Sequence, residues 1–284
     1  MALNLPTFYK RTGSAIVFAI IMLGGLLWNQ FSFLALICLI LVLCTREYAL
    51  LMQKIFPGTY WPKWLTPVFA VIGLVLAVAV SILLMQTNGG RLQGWDYAVP
   101  IRILKGLVVL PALLFMGSLI SKKEYHMAVI LSGFGIFYLV IPMLSLLYLY
   151  DRNSLLPLGL ILMIWTNDTM AYLVGSFIGK TPFSPISPKK TWEGTIGGAL
   201  LTLIGAAIFG YFNHSGITMI DWMALSLCAA VAGTLGDLLE SKLKRMADVK
   251  DSGAIMPGHG GALDRFDSLL VAAPFAFAYV ACCM

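Results

Sequence analysis

The sequence predicts an all-α, polytopic integral membrane protein with about nine transmembrane helices and no soluble domain. Of the 284 residues, 60% are hydrophobic and only 11% are charged, whereas soluble domains carry roughly 25% charged residues. The apolar residues are grouped in nine segments, each near the length of about 20 residues that a spanning helix needs. The loops between these segments are too short to hold a folded domain.

We predict one spanning helix for each apolar segment. The first segment follows Lys10 and Arg11, as in a signal peptide, but it has no small-residue cleavage site. It leads through Asn29 and Gln30 into a second apolar run, so these two segments are predicted to form a retained helical hairpin. In chain order, the nine segments are residues 14–29, 31–51, 65–86, 101–120, 126–149, 155–178, 194–212, 220–240 and 268–283.

The basic residues predict the orientation in the membrane. With a cytoplasmic N-terminus, fifteen of the 19 Lys and Arg residues fall on the cytoplasmic side and four on the other, as the positive-inside rule expects. This distribution and contact with anionic lipid heads explain the net charge of +6, so no nucleic-acid partner is expected. The five cysteines lie in apolar segments without metal-binding spacing, and we expect them to be buried rather than to bind zinc.

The two halves of the chain differ in their chemistry. Residues 1–150 carry only three carboxylates, which are Glu47, Asp96 and Glu124 at expected helix ends or in loops, and the other ten lie beyond residue 150. We therefore expect residues 1–150 to form chemically sparse N-terminal membrane helices. Residues 151–284 are expected to form the membrane helices that carry the functional site, within one integrated membrane domain.

A stretch between Ser241 and Ser268 combines charge and glycine in an otherwise apolar chain. Its basic residues can attract phosphates, and its glycines let backbone amides approach an anion closely. Asp264 and Asp267 are three residues apart, so on a helix they would share one face and could hold a divalent cation. The alternative is a solvated basic loop with a salt-bridged helix cap. The candidate binding residues here are Ser241, Lys244, Arg245, Lys250, His259, Gly260, Gly261 and Arg265.

The end of the eighth segment adds two acids, Asp237 and Glu240. On a helix they share one face with Lys244, and an acid in an apolar span is costly and marks function. Asp237 could complete a three-carboxylate metal site with Asp264 and Asp267. The alternative for Asp237 is an ion pair with Lys244 or another base at the membrane edge.

Two further groups of polar residues precede this region. Asn167 and Asp168 interrupt the sixth apolar segment and are expected to line a polar pocket. Ser187 is expected to cap a helix that begins at Pro188, which would place free amides at an anion site together with Lys189 and Lys190. The alternative for the two lysines is a purely topological role.

These residue types together indicate nucleotide chemistry. Carboxylates without His or Cys ligands suit Mg²⁺, and Mg²⁺ with basic side chains and a glycine turn suits a nucleoside triphosphate. The chain has neither the GxxxxGK[ST] nor the GxGxxG motif. Phosphoryl or nucleotidyl transfer needs mainly in-line positioning and neutralised charge, so no catalytic triad is required.

Three stretches of the second half form one long motif. They are Ser187-Pro188-Lys189-Lys190-Thr191-Trp192-Glu193-Gly194, then Gly236-Asp237-x2-Glu240-Ser241-x-Leu243-Lys244-Arg245-x4-Lys250-Asp251-x-Gly253, then Pro257-x-His259-Gly260-Gly261-x2-Asp264-Arg265-Phe266-Asp267. This motif resembles the signature of the phosphatidate cytidylyltransferases (CDP-diacylglycerol synthases), over roughly residues 160–284.

The resemblance implies that CTP and phosphatidic acid react to give CDP-diacylglycerol and pyrophosphate. It implies Mg²⁺, with K⁺ as a second ion, a homodimer, and a multi-pass location in the inner (plasma) membrane with cytoplasmic active-site loops. The metal ligands would be Asp237, Asp264 and Asp267. Lys244, with Arg245 and Lys250, would hold phosphates. Ser187, Lys189 and Lys190 would contact the triphosphate or the lipid head, beside Asn167 and Asp168.

Two other functions are compatible with parts of the sequence. A cation- or proton-coupled transporter would explain the intramembrane acids Asp168 and Asp237 but leaves the charged cytoplasmic stretch without a role. A membrane lipid kinase that uses CTP would share the nucleotide chemistry. Both remain alternatives at this stage.

Overall fold

The computed structural model describes residues 5–87, 98–121, 124–213, 215–255 and 260–284, which are mainly helical. Two helices contain a π-helical turn, at Ile136–Val140 and at Cys228–Ala232. The α-helices are α1 Leu5–Leu27, α2 Gln30–Ile55, α3 Leu65–Thr87, α4 Ala98–Ile120, α5 His126–Gly135, α6 Ile141–Arg152, α7 Leu155–Ile178, α8 Trp192–Phe212, α9 Met219–Leu227, α10 Gly233–Met246 and α11 Leu263–Cys283.

Within the described ranges, seven helical stretches are long and apolar enough to cross a membrane. The all-α, multi-pass prediction is therefore confirmed. α1, with its shorter apolar part Gly13–Leu27, and α4 coincide with the other two predicted spans, so the count of nine is not confirmed. The seven stretches are Gln30–Ile55, Leu65–Met85, His126–Arg152, Leu155–Ile178, Trp192–Phe212, Met219–Met246 and Leu263–Cys283.

The helix that carries Asp237 and Glu240 is longer than the sequence predicts. α9, the π-helical turn and α10 form one continuous helix, Met219–Met246, whereas the predicted span ends at residue 240. An extra residue in a π turn rotates the side chains that follow it, and such turns are frequent at functional sites. Here the turn precedes α10, so it sets the direction in which the two carboxylates point.

α10 and α11 are in backbone contact at Gly236. A methyl group added at this position would overlap the carbonyl oxygen of Asp267 and lie 3.1 Å from Cα of Ser268. Only a residue without a side chain allows this approach. The contact brings the carboxylates of α10 and α11 to the same place.

The segment before α8 is a β-hairpin, not a helix. β1, Pro182–Ser184, pairs antiparallel with β2, Ser187–Thr191. The prediction that Ser187 caps a helix is wrong, because α8 begins only at Trp192 and its cap is Thr191, whose side chain accepts from Gly194 N at 3.2 Å. The hairpin turn between the strands uses the same Ser-Pro composition that is typical of helix starts.

Candidate active site

A cavity of about 560 Å³ opens between α7, α10, α11 and the hairpin. It gathers side chains that lie far apart in the sequence, including nine of the predicted site residues. Its lining includes Asn167, Asp168, Lys189, Lys190, Asp237, Lys244, Asp264, Arg265 and Asp267, together with Thr195, Thr234 and Asp251. The cavity therefore has both carboxylates and cations on its wall.

Three carboxylates form a cluster beside this cavity: Asp237 and Glu240 from α10 and Asp267 from α11, of which Asp237 and Asp267 line it. One oxygen of each lies within 4.8 Å of the others. Glu240 is completely buried, and neither of its oxygens meets a hydrogen-bond donor in suitable geometry among the described residues. Its Oε2 forms an ion pair with Lys244 Nζ. Three carboxylates this close together, one of them fully buried, need positive charge nearby to offset them.

Asp264 lies beside this cluster and is tied to the protein. Its Oδ1 contacts Lys244 Nζ at 2.6 Å, and its Oδ2 accepts from Ser252 N at 2.9 Å, Ser252 Oγ at 3.0 Å and Gly261 N at 2.7 Å. The group of three carboxylates thus contains Glu240 rather than Asp264. A metal-binding role for Asp264 stays a prediction.

Lys244 bridges two acids. Its ammonium contacts both Glu240 and Asp264, and only 14% of its side chain is exposed. In this arrangement the lysine offsets charge within the site, and its contact with phosphates stays a prediction. Asp237, Glu240 and Lys244 were predicted to share one face of the helix. The structure agrees, because Lys244 pairs with Glu240 and Ser241 Oγ donates to Asp237 Oδ1 at 3.4 Å.

The β-hairpin brings lysines to the carboxylates. Lys190 forms an ion pair with Asp237, and Lys189 lines the same cavity. Glu193 anchors the hairpin: its carboxylate accepts from Lys180 N at 3.1 Å and from Thr181 Oγ1 at 2.8 Å. The sequence predicted the lysines but not the strand that carries them.

Several other predicted residues lie at or outside the edge of the site. Arg245 and Lys250 are exposed and do not line the cavity. Ser187 begins β2 but is also absent from the lining. Gly260 adopts φ +81°, a backbone conformation that favours glycine. His259 lies outside the described residues.

Glu47 is a site residue that the sequence analysis missed. It belongs to α2, in the half that was expected to be chemically sparse, and is only 2% exposed. Its carboxylate accepts from Ser252 Oγ, Ala262 N and Leu263 N at 2.8–2.9 Å. The first half of the chain therefore supports the glycine-rich loop between α10 and α11.

A second cavity of about 120 Å³ shares Asp168, Asp264, Arg265, Asp267 and Ser268 with the first. It continues between α1, α7 and α11, where its lining is apolar and aromatic. The apolar lining residues are Phe18, Met22, Ile161, Ile164, Trp165, Phe266 and Leu269. A polar site with an apolar extension suits an amphipathic molecule.

A multi-pass membrane fold with this cavity defines a membrane-embedded enzyme, and comparison with known proteins gives its family. The sequence profile of the cytidylyltransferase family matches residues 9–283 of this chain. The chain belongs to this family and is a nucleotidyltransferase.

Three curated relatives are each called phosphatidate cytidylyltransferase. The protein of Staphylococcus epidermidis is 32% identical over 273 residues, 93% of this chain and 95% of the relative. That of Staphylococcus aureus (strain COL) is 34% identical over 209 residues, 72% of this chain and 77% of the relative. That of Bacillus subtilis is 50% identical over 115 residues, 40% of this chain and 43% of the relative.

Proposed function

We propose that this protein transfers the cytidylyl group of CTP to phosphatidic acid, which yields CDP-diacylglycerol and pyrophosphate. The relatives that share most of its length carry the name of this activity. The observation that carries the proposal is a cavity lined by lysines and by Asp237 and Asp267, two of the three clustered carboxylates, which adjoins a second cavity with apolar residues on its wall. These are the features that a metal–nucleotide complex and a lipid phosphate need together.

The carboxylate cluster fits a divalent metal such as Mg²⁺. Oxygen ligands are what Mg²⁺ prefers. Oε1 of the buried Glu240 carboxylate has no partner among the described residues, while Oε2 is paired with Lys244. We assign Asp237, Glu240 and Asp267 as the residues that would hold the ion, with Asp264 as a neighbour. When bound there, the ion would neutralise charge on phosphate oxygens.

The chain's own residues handle the repulsion between the two substrates. The phosphate of phosphatidic acid is already an anion, so its oxygen can bond to the α-phosphorus of CTP without a strong general base. The bond from that phosphorus to the bridging oxygen of the β-phosphate breaks, and pyrophosphate leaves. Lys189, Lys190 and Arg265 line the cavity and would supply positive charge where the phosphates meet.

Lipid access follows from the second cavity. Arg265 and Asp168 lie where the two cavities meet, and apolar side chains of α1, α7 and α11 line the extension below them. We place the lipid head at this junction, with the first part of its chains in the extension. Asn167, which is buried beside Asp168, would orient the head.

The remaining parts of the proposal concern location and assembly. We assign the protein to the plasma membrane with the active-site loops on the cytoplasmic side, because the basic residues follow that orientation and CTP is cytoplasmic. The C-terminal half, residues 151–284, provides the carboxylate cluster, and the N-terminal half provides Glu47 as support. K⁺ as a second ion and a homodimer stay predictions that follow from the resemblance alone.

The test uses the purified full-length chain in detergent with labelled CTP, phosphatidic acid and Mg²⁺. We expect labelled CDP-diacylglycerol and pyrophosphate, and loss of at least 99% of this activity in Asp267→Asn. Lys54→Met, an exposed position at the end of α2, serves as the control. Phosphorylated lipid with released CDP would indicate a lipid kinase, and ion flux in liposomes without product would indicate a transporter. Either result would overturn the proposal.

A further inference from the structure

We propose that Glu47 is a positioning residue of the active site. It holds the glycine-rich loop between α10 and α11, so that Asp264 and Lys244, on the two sides of the loop, keep their geometry. The inference rests on the proposed function. It assigns a part in catalysis to a helix of the half that carries few charges. Glu47 itself does not line either of the two cavities, so its effect must be transmitted through other residues.

The Glu47 carboxylate ties both ends of the loop to α2. Its Oε2 accepts from Ser252 Oγ and from Leu263 N, both at 2.8 Å, and its Oε1 accepts from Ala262 N at 2.9 Å. Ser252 precedes the glycine-rich segment and Ala262 follows it. Since Glu47 and Ser252 are separated by 205 residues, this is a tertiary contact and not part of the loop's own fold.

Two glycines of the loop leave space for the Glu47 carboxylate. A methyl group added at Gly253 or at Gly261 would overlap the Glu47 side chain. The glycines here therefore provide room for the acid, in addition to any part they take in binding an anion. All three donors are neutral groups, and a carboxylate that accepts several such bonds binds more strongly than a neutral side chain would.

A chain of contacts leads from Glu47 to the carboxylate cluster. Ser252 Oγ lies 2.8 Å from Glu47 and 3.0 Å from Asp264 Oδ2. Asp264 Oδ1 contacts Lys244 Nζ at 2.6 Å, and Lys244 pairs with the buried Glu240. A shift of the loop would move Asp264, then Lys244, and so alter the charge balance around Glu240. Coupling of this kind is expected between residues of one network.

The test compares Glu47→Gln with Glu124→Gln in the full-length chain. Glu124 is an exposed carboxylate of the same half and serves as the matched control. The glutamine keeps the size of the side chain, but its amide nitrogen faces a donor instead of accepting from it. We expect kcat to fall about tenfold and the Mg²⁺ concentration for half-maximal activity to rise severalfold, with an unchanged KM for the lipid. The control should change neither value.

A second readout does not depend on activity. Hydrogen–deuterium exchange should be faster in Glu47→Gln for the peptide that contains Ala262 and Leu263. Their amides bond to different oxygens of Glu47, and glutamine keeps only one acceptor oxygen, so one of the two amides loses its acceptor. Peptides of α8 should exchange as in the unaltered chain. If Glu47 only stabilised the fold, the amount of active enzyme would fall with no change in the Mg²⁺ requirement, and the proposal would be overturned.

Ser252→Ala provides the test if Glu47→Gln does not fold. It removes the hydroxyl between Glu47 and Asp264 but leaves the two backbone contacts of Glu47 in place. We expect a smaller loss of kcat with the same direction of change in the Mg²⁺ requirement. An unchanged Mg²⁺ requirement in a folded Ser252→Ala protein would refute the transmitted effect. If the unaltered chain formed no CDP-lipid, the proposed function would fail instead, whatever the variants do.

Discussion

The replacement Gly236→Ala should separate α10 from α11 and so disperse the carboxylate cluster. The added methyl would overlap the carbonyl oxygen of Asp267 and lie 3.1 Å from Cα of Ser268. Relief of this overlap requires the helices to move apart by roughly 1 Å, since nonbonded heavy atoms prefer about 3.5–4.0 Å. Overpacking of this kind costs about 1–3 kcal/mol of stability. A displacement of about 1 Å at a catalytic site can lower the rate about 100-fold.

The assay is the initial rate of CDP-lipid formation in mixed micelles as a function of Mg²⁺ concentration. The matched control is Gly205→Ala, because a methyl group at Gly205 in α8 would meet nothing within 4 Å. We expect kcat of Gly236→Ala to fall about 100-fold and its Mg²⁺ requirement to rise, while Gly205→Ala retains normal kinetics. Thermal unfolding in detergent checks that both variants are folded.

The reasoning would be refuted by a folded Gly236→Ala protein with a rate within about twofold of the unaltered chain. That result would mean that the helices tolerate the methyl without moving the carboxylates, or that the cluster of Asp237, Glu240 and Asp267 is not required. A stability loss without a change in Mg²⁺ dependence would also contradict it, because the predicted shift acts on the distance between those carboxylates.

Three other replacements test separate parts of the account. Lys190→Met removes the cation beside Asp237. It should raise the KM for CTP about tenfold with the lipid KM unchanged, as steady-state kinetics would show. Glu193→Gln weakens the anchor of the hairpin and should speed proteolysis within residues 180–191, while unchanged cleavage would contradict the anchoring role. Gly159→Ala would overlap the ring of Trp222. It should cost about 1–3 kcal/mol of stability but leave the Mg²⁺ dependence unaltered, measured by thermal unfolding and activity together.

The membrane helices could be predicted from the sequence because hydropathy is a local property. The span 155–178 coincides with Leu155–Ile178, and the other predicted spans match helices with ends that differ by a few residues. The largest differences are at the start of α1, which begins at Leu5 and not at residue 14, and at the end of the helix that reaches Met246. Its last turns carry charge at the membrane edge, so hydropathy alone ends the span too soon.

The local pattern also predicted the shared face of Asp237, Glu240 and Lys244, since helical spacing fixes it. It could not show which carboxylates meet across two helices. The contact at Gly236 and the π-helical turn before it decide that Glu240, rather than Asp264, joins the group. These are features of tertiary packing, which no spacing rule within one helix contains.

Two errors have different physical origins. The Ser187 cap was wrong because Ser187 and Pro188, although typical of a helix start, are the first residues of β2, which pairs with β1. Glu47 was treated as a residue at a helix end, although it lies inside the apolar segment 31–51. An acid in such a segment is itself a sign of function, so a signal existed. Its partner Ser252 could not be identified from the sequence.

The most direct test of the central claim is the binding of Mn²⁺, a paramagnetic substitute for Mg²⁺, followed by electron paramagnetic resonance on the purified chain. The account predicts one tight site that Glu240→Gln and Asp267→Asn each weaken at least tenfold. Lys54→Met should leave it unchanged. Unaltered Mn²⁺ binding in both carboxylate variants would contradict the claim that Asp237, Glu240 and Asp267 form the metal site of this cytidylyltransferase.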